Sequence, residues 1–235
     1  MRKTFFALIT AVAVGFISAV GLCVRALLAP QPVFSLANES MKIVVDAGHG
    51  GIDGGVTGIA TGVKESDINL AVAMMLKNSL EELGFEVVLT RKTEGGLYGT
   101  PTKGFKRRDM EKRKEIIQKA SPALVISVHQ NRYPAQSVRG GQVFFKTGDS
   151  RGEQFALGVQ ERLNGLYAEQ GVKARKATPA DYYLLNCSSA PSIIVECGFL
   201  SNAKDEALIL DGVWKRRIAD SIAAGVMDYF SSSLA

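Results

Sequence analysis

Lys42-Ile43-Val44-Val45-Asp46-Ala47-Gly48-His49-Gly50-Gly51 couples a short apolar run to a glycine-rich turn that carries a histidine. A β-branched run without polar alternation reads as a strand buried on both faces, the kind that fills parallel sheets. The turn extends from Gly48 to Gly58 and holds six glycines, so it is a loop. Ser66 then opens a helix with Ile68, Val72, Met75, Ser79 and Leu83 at steps of three and four, and Gly84 closes it. Phe85 to Thr90 forms the next strand. A strand–helix–strand unit of this kind predicts two parallel strands joined by a right-handed crossover.

The same alternation continues outward. A long glycine-rich loop spans 92–105, and loops of this length in a compact domain are usually functional or mobile. It is expected to be a mobile wall of the groove, contributing little to stability. A basic helix over about Lys106 to Lys119 leads into the apolar strand Ala123-Leu124-Val125-Ile126-Ser127-Val128, which ends at His129. Gln142 to Lys146 is a strand, and Gly152 to Gln170 is a helix with Phe155, Val159, Leu163 and Leu166 on one face. Asp181 to Asn186 is strand or loop, Ser192 to Cys197 a strand, and Val213 to Phe230 the closing helix. The expected fold class is α/β: one domain over 41–235 with a central, mostly parallel twisted sheet flanked by helices.

The amino terminus has a different character. Arg2 and Lys3 precede an uncharged apolar run up to Val24, long enough to cross a bilayer, which takes about 20 residues. Positive charge ahead of that run predicts that the rest of the chain is exported. Residues 1–28 are therefore expected to be a signal peptide or signal-anchor membrane segment. An uncleaved anchor is favoured, although Ser35-Leu36-Ala37 offers small residues to a signal peptidase. Pro30, Pro32 and Asn38-Glu39-Ser40 make 29–40 a linker.

The net charge of +5 is concentrated in Lys103, Lys106, Arg107, Arg108, Lys112, Arg113 and Lys114. It suits an acidic polymer, but no nucleic-acid-binding motif accompanies it and an exported protein seldom meets nucleic acid, so that partner is excluded. Cys187 and Cys197 flank the last strand and read as small buried hydrophobes rather than as a disulfide. No Cys-x-x-Cys pair exists, which rules out a zinc knuckle.

His49 and His129 are the chain's only histidines, and each follows a buried strand. Ligands of open α/β sheets gather outside the carboxyl ends of strands, so the two imidazoles can converge on one metal ion. Catalytic zinc usually takes three protein ligands and leaves a fourth position to water. Glu65, Asp46 and Asp53 compete as the third ligand. Glu65 opens a helix, where the dipole favours a carboxylate anyway; Asp46 lies inside a strand, and Asp53 suits a turn. Glu196 follows Ser192-Ile193-Ile194-Val195 and must face a crevice or be buried at a cost. A carboxylate beside a metal-bound water is a general-base arrangement.

Four motifs carry a resemblance that covers the chain from Met41 to Phe230: Val-Asp-Ala-Gly-His-Gly-Gly at 45–51, Lys-Glu-Ser-Asp-Ile-Asn-Leu-Ala at 64–71, Ser-Val-His-Gln-Asn at 127–131, and Pro-Ser-Ile-Ile-Val-Glu-Cys-Gly-Phe-Leu-Ser-Asn at 191–202. In this order the chain resembles the zinc-dependent N-acetylmuramoyl-L-alanine amidases of bacterial cell walls. The resemblance implies Zn2+ held by His49, Glu65 and His129, Glu196 as the catalytic residue, and peptidoglycan as substrate. Gly-Thr-Pro-Thr-Lys-Gly-Phe-Lys-Arg-Arg at 99–108 is similar to the sporulation branch of that family. That likeness implies a role in forming muramic-δ-lactam in the spore cortex, a place between forespore and mother cell, and an accessory sporulation protein as partner. Arg113 falls where the family has a recurrent arginine, which can tie helix to sheet. Gln130, usually small or apolar in the family, and Asn186-Cys187 depart from the common pattern. An exported zinc carboxypeptidase is the enzymatic alternative, but it would bring His and Glu ligands three apart in one motif. A non-catalytic wall-binding module is the other, and Glu196 speaks against it.

Overall fold

A computed structural model describes residues 41–233. The elements in chain order are β1 (Lys42–Ala47), α1 (Glu65–Glu82), β2 (Glu86–Leu89), α2 (Phe105–Ala120), β3 (Leu124–Asn131), β4 (Gln142–Lys146), α3 (Ser150–Ala168), β5 (Thr178–Ala180), β6 (Ser192–Phe199), α4 (Ala203–Leu210) and α5 (Gly212–Ser233), with a 3₁₀ turn at Leu184–Asn186. The expected segment at 1–28 and the linker at 29–40 lie outside the described residues. Among those residues no helix is long and apolar enough to cross a membrane.

The six strands form one sheet in the order β2-β1-β3-β6-β4-β5. β2, β1, β3 and β6 run parallel, β4 is antiparallel to β6, and β5 is parallel to β4. The mostly parallel α/β expectation therefore holds. Ile43, Val45, Ala47, Leu124, Ile126, Val128, Ile193 and Val195 turn one sheet face toward α1, α3 and α5, where Ile68, Val72, Leu76, Phe155, Val159, Leu163, Ile218 and Ile222 meet them. Full burial of each such aliphatic side chain stabilises the fold by about 1.5–3 kcal/mol. The opposite face is covered more thinly. Val44 and Val125 pack there with Ile117 of α2 and with Leu184 and Cys187 of the 3₁₀ turn. Asp46, Ser127, His129 and Glu196 share that face by strand alternation.

Three features depart from the expectations. The 181–186 segment is loop with a 3₁₀ turn, within the expectation of strand or loop, but β5 was not expected and lies just before it as a three-residue edge strand containing Pro179, which an edge tolerates. α4 was not anticipated because two of its three buried side chains, Asp205 and Glu206, are charged, and Ile209 alone is apolar. Asp205 accepts from Arg139 Nε (2.8 Å) and Gly140 N (2.7 Å), and Glu206 from Ala60 N (2.7 Å), Thr61 N (2.8 Å) and Thr61 Oγ1 (2.6 Å). A buried face made mostly of satisfied carboxylates has no hydrophobic period to read. The third is the 92–105 loop, which is braced rather than loose. Leu97 N donates to Asp109 Oδ1, Ile52 N to the Tyr98 hydroxyl (2.8 Å), and Gly51 N to Glu94 O (2.7 Å). Arg108 donates to the carbonyls of Tyr98, Thr100 and Lys103. Cys187 and Cys197 are free and buried, as expected.

Candidate metal and catalytic site

The turn after β1 folds back on itself through two buried guanidiniums. Arg113 of α2 donates to Asp46 Oδ1, Ala47 O (2.7 Å), His49 O (2.6 Å) and Asp109 Oδ2 (2.7 Å). Arg91 donates to Ala47 O (2.9 Å), Gly48 O (3.0 Å) and Ser66 O (2.7 Å). Asp46 also accepts from Thr90 Oγ1 and Ser127 Oγ, each at 2.6 Å. Burial pushes its carboxyl up, but Arg113 and the two hydroxyls prevail and hold it below the usual carboxylate range. Of the basic cluster, Arg113 thus belongs to the interior. Lys106 reaches Asp53 Oδ1 (3.5 Å), while Arg107 pairs with Glu111 and Lys112 with Glu115 along the helix.

These clamps fix His49 in a left-handed conformation, φ 60°, which a non-glycine residue adopts only when its surroundings enforce it. Its Nε2 lies 3.3 Å from Glu65 Oε2 and its Nδ1 3.1 Å from Asp53 Oδ2. His129, near the end of β3, places Nδ1 2.9 Å from Glu65 Oε1. The two rings meet edge to face with centroids 5.0 Å apart. One ligand atom from each of His49, Glu65 and His129 lies within 4.8 Å of the others. The structure thus brings together three of the residues weighed from sequence. Asp46 is instead occupied by Arg113, and Asp53 backs the far nitrogen of His49.

Close approach needs small residues. A Cβ at Gly48 would lie 2.2 Å from the His129 ring, and one at Gly55, where φ is +68°, would lie 2.3 Å from Glu65 Oε2. Glu65 is 3% exposed, whereas His49 and His129 keep 26% and 21%, so the imidazoles open the site to solvent. Burial raises the Glu65 carboxyl, yet the His129 and His49 rings overcome that and hold it well below the usual range. His49 is raised because Glu65 and Asp53 outweigh its burial. Two imidazoles around a buried, ionised carboxylate form a donor set that suits zinc.

Glu196 on β6 is the register partner of His129 on β3. Its Oε2 is buried and, among the described residues, has no hydrogen-bond partner. Burial pushes its carboxyl up to about 7, with Glu65 adding to the rise and the two histidines opposing it. A carboxyl near neutrality can both take and return a proton.

The family model described as N-acetylmuramoyl-L-alanine amidase matches residues 43–228. The chain belongs to the N-acetylmuramoyl-L-alanine amidase family. As a member, it is an amidase of cell-wall peptidoglycan. Among curated relatives, the germination-specific N-acetylmuramoyl-L-alanine amidase of Bacillus subtilis is 32% identical over 201 residues, covering 84% of this chain and 83% of the relative. Among solved structures, the CwlD amidase from Clostridioides difficile, determined in complex with the GerS lipoprotein, is similar with a TM-score of 0.78 and 32% identity. That match covers 82% of this chain and 100% of the other. The catalytic domain of the amidase CwlV from Bacillus (Paenibacillus) polymyxa has a TM-score of 0.69 and 26% identity, covering 81% and 98%.

Two neighbours of the site were not placed by the sequence reading of this amidase. Asp53 was weighed as a third ligand and set aside as a turn residue, and Asn69 was passed over. Asp53 follows His49 by four residues and Asn69 follows Glu65 by four; on a helix the latter spacing places two side chains on one face.

Proposed function

We propose that this amidase is zinc-dependent, with His49, Glu65 and His129 as the metal ligands and Glu196 as the general base, and that it cuts the amide between the lactyl group of N-acetylmuramic acid and L-alanine. The observation that carries the reading is the buried Glu65 carboxylate between two imidazoles, with Glu196 in register beside His129 and one oxygen unpartnered. Bound zinc supplies an electrophile for the scissile carbonyl and lowers the pKa of a water ligand to about 7. Glu196 takes the water's proton on its free oxygen and returns it to the alanine nitrogen, which leaves as a neutral amine. Asp53, on the Nδ1 side of His49, would fix the tautomer that leaves Nε2 free to hold the metal.

The biological setting is part of the same proposal. Residues 1–28 direct export and anchor the chain at the outer side of the cytoplasmic membrane, 29–40 form a linker, and 41–235 form the catalytic domain. The similarity to a germination-specific amidase and to an amidase bound to a lipoprotein supports a role in spore cortex maturation, forming muramic-δ-lactam, with an accessory protein as partner. Metal removal tests the core of the reading. A strong chelator should abolish release of stem peptide from peptidoglycan by the full-length chain in mild detergent, and added zinc should restore it. Full activity in a sample shown to be metal-free would overturn the zinc assignment.

A further inference from the structure

The residues adjoining all three proposed ligands are joined by a pair of buried amide side chains. Asn69, one helical turn after Glu65 on α1, is fully buried. Its Nδ2 donates to Glu65 Oε1 (3.2 Å) and to the carbonyl of Gly48 (3.2 Å), the residue before His49. Its Oδ1 accepts from Gln130 Nε2 (3.2 Å), and Gln130 follows His129. The Gln130 backbone N–H also donates to Glu65 Oε1 (3.1 Å), while Val56 N donates to Glu65 Oε2 (2.9 Å). Oε1 is therefore held by two fixed donors and Oε2 by one, which leaves Oε2 a lone pair on the side of His49. Gln130 decides how Asn69 is oriented. By donating to the Asn69 oxygen it turns the Asn69 amide nitrogen toward Glu65 and Gly48, the only sense in which Asn69 can serve two acceptors.

Gln130 holds this post at a cost. Its own Oε1 is buried and, among the described residues, has no hydrogen-bond partner. An orphaned buried acceptor destabilises a fold by about 1–3 kcal/mol, and a near-isosteric apolar side chain would only move the penalty to Asn69 Oδ1, which would lose its donor. Stability alone therefore gives no reason for an amide here.

We propose that Asn69 and Gln130 are positioning residues that set the orientation of the Glu65 carboxylate and its spacing from His49 and His129, and so the metal affinity of the site. The inference rests on the zinc reading above. Groups that orient metal ligands typically change affinity by about 10–100-fold when removed.

The test uses the full-length chain in mild detergent. Zinc affinity is measured by competition with a chromogenic chelator, the visible spectrum is taken with cobalt in place of zinc, and thermal unfolding is followed without metal. Gln130→Met should bind zinc about 10-fold more weakly and show altered cobalt ligand-field bands. Its metal-free melting temperature should change little, because the orphaned acceptor passes from Gln130 to Asn69. Asn69→Leu should lose at least as much affinity, with some loss of stability because Gly48 O and Gln130 Nε2 lose a partner. A Gln130→Met chain with wild-type zinc affinity and wild-type cobalt bands would overturn the inference. Failure of the wild-type chain itself to bind zinc would instead overturn the reading on which it rests.

Discussion

Gly55 and Glu196 show what single positions contribute. Gly55 combines a positive φ with no room for a side chain, since a Cβ there would press on the Glu65 carboxylate and the His49 ring. Gly55→Ala should therefore weaken zinc binding by about 10-fold or more while changing the melting temperature less than a core truncation would, as titration against a chelator would show. Unchanged affinity would mean that the loop moves aside freely. Glu196 makes the opposite kind of contribution. Glu196→Gln is nearly isosteric but cannot accept a proton, so zinc content should stay at the wild-type level while turnover falls by about 10²-fold or more. Glu65→Gln should instead lose metal, because a neutral amide is a poor ligand for a divalent cation. Metal analysis and rate measurements on both variants separate base from ligand; joint loss of metal would erase that division.

At the scale of elements, the buried strands were legible because Ile43–Val45 of β1, Leu124–Ile126 of β3 and Ile193–Val195 of β6 are apolar runs that lead to the polar residues Asp46, Ser127 and Glu196. The helices α1, α3 and α5 were legible from their 3.6-residue stripes. α4 was not, because satisfied carboxylates take most of its buried face and leave Ile209 alone as a fully buried apolar residue, and the antiparallel sense of β4 has no signature in so short a strand. The 92–105 loop was misjudged because its glycines suggested freedom, while the groups that restrain it, Arg108 and Asp109, belong to the following helix. The structure reverses the expected effect of shortening it. Deleting residues 95–99 removes the Leu97 and Tyr98 bonds and loosens the Gly50–Asp53 turn beside His49. Several lost bonds at about 0.5–1.5 kcal/mol each should lower the melting temperature by about 5 °C or more. A melting curve superimposable on the wild type would restore the view of this segment as an independent flap.

For the whole molecule, the two guanidiniums tie β1 and the metal-site turn to α2 through Arg113 and to α1 through Arg91. The two histidines and both glutamates could be named from sequence because the motifs carry them. In the supporting shell, Asp53 and Asn69 stand four residues from His49 and Glu65, whereas Arg91 and Arg113 join distant segments through partners that no local pattern records. Breaking the buried Asp46–Arg113 pair by Asp46→Asn should cost about 3–5 kcal/mol at neutral pH. The folded-state carboxyl of Asp46 is depressed, so its stabilisation is complete above the unfolded value of about 3.9 and is lost as pH falls through the lower folded value. Urea unfolding of wild type and variant should thus converge below about pH 4. A gap that is independent of pH would show that the pair is not ionised. The central claim is that this fold brings a metal site and a buried carboxyl to one amide bond of peptidoglycan. Mass spectrometry of purified peptidoglycan digested by the zinc-loaded full-length chain tests it most directly. The expected products are stem peptides with a free L-alanine amino terminus and glycan bearing unsubstituted lactyl groups, both absent with Glu196→Gln; products cut only between amino acids, or the same products from Glu196→Gln at the wild-type rate, would rule out this activity and this role for Glu196.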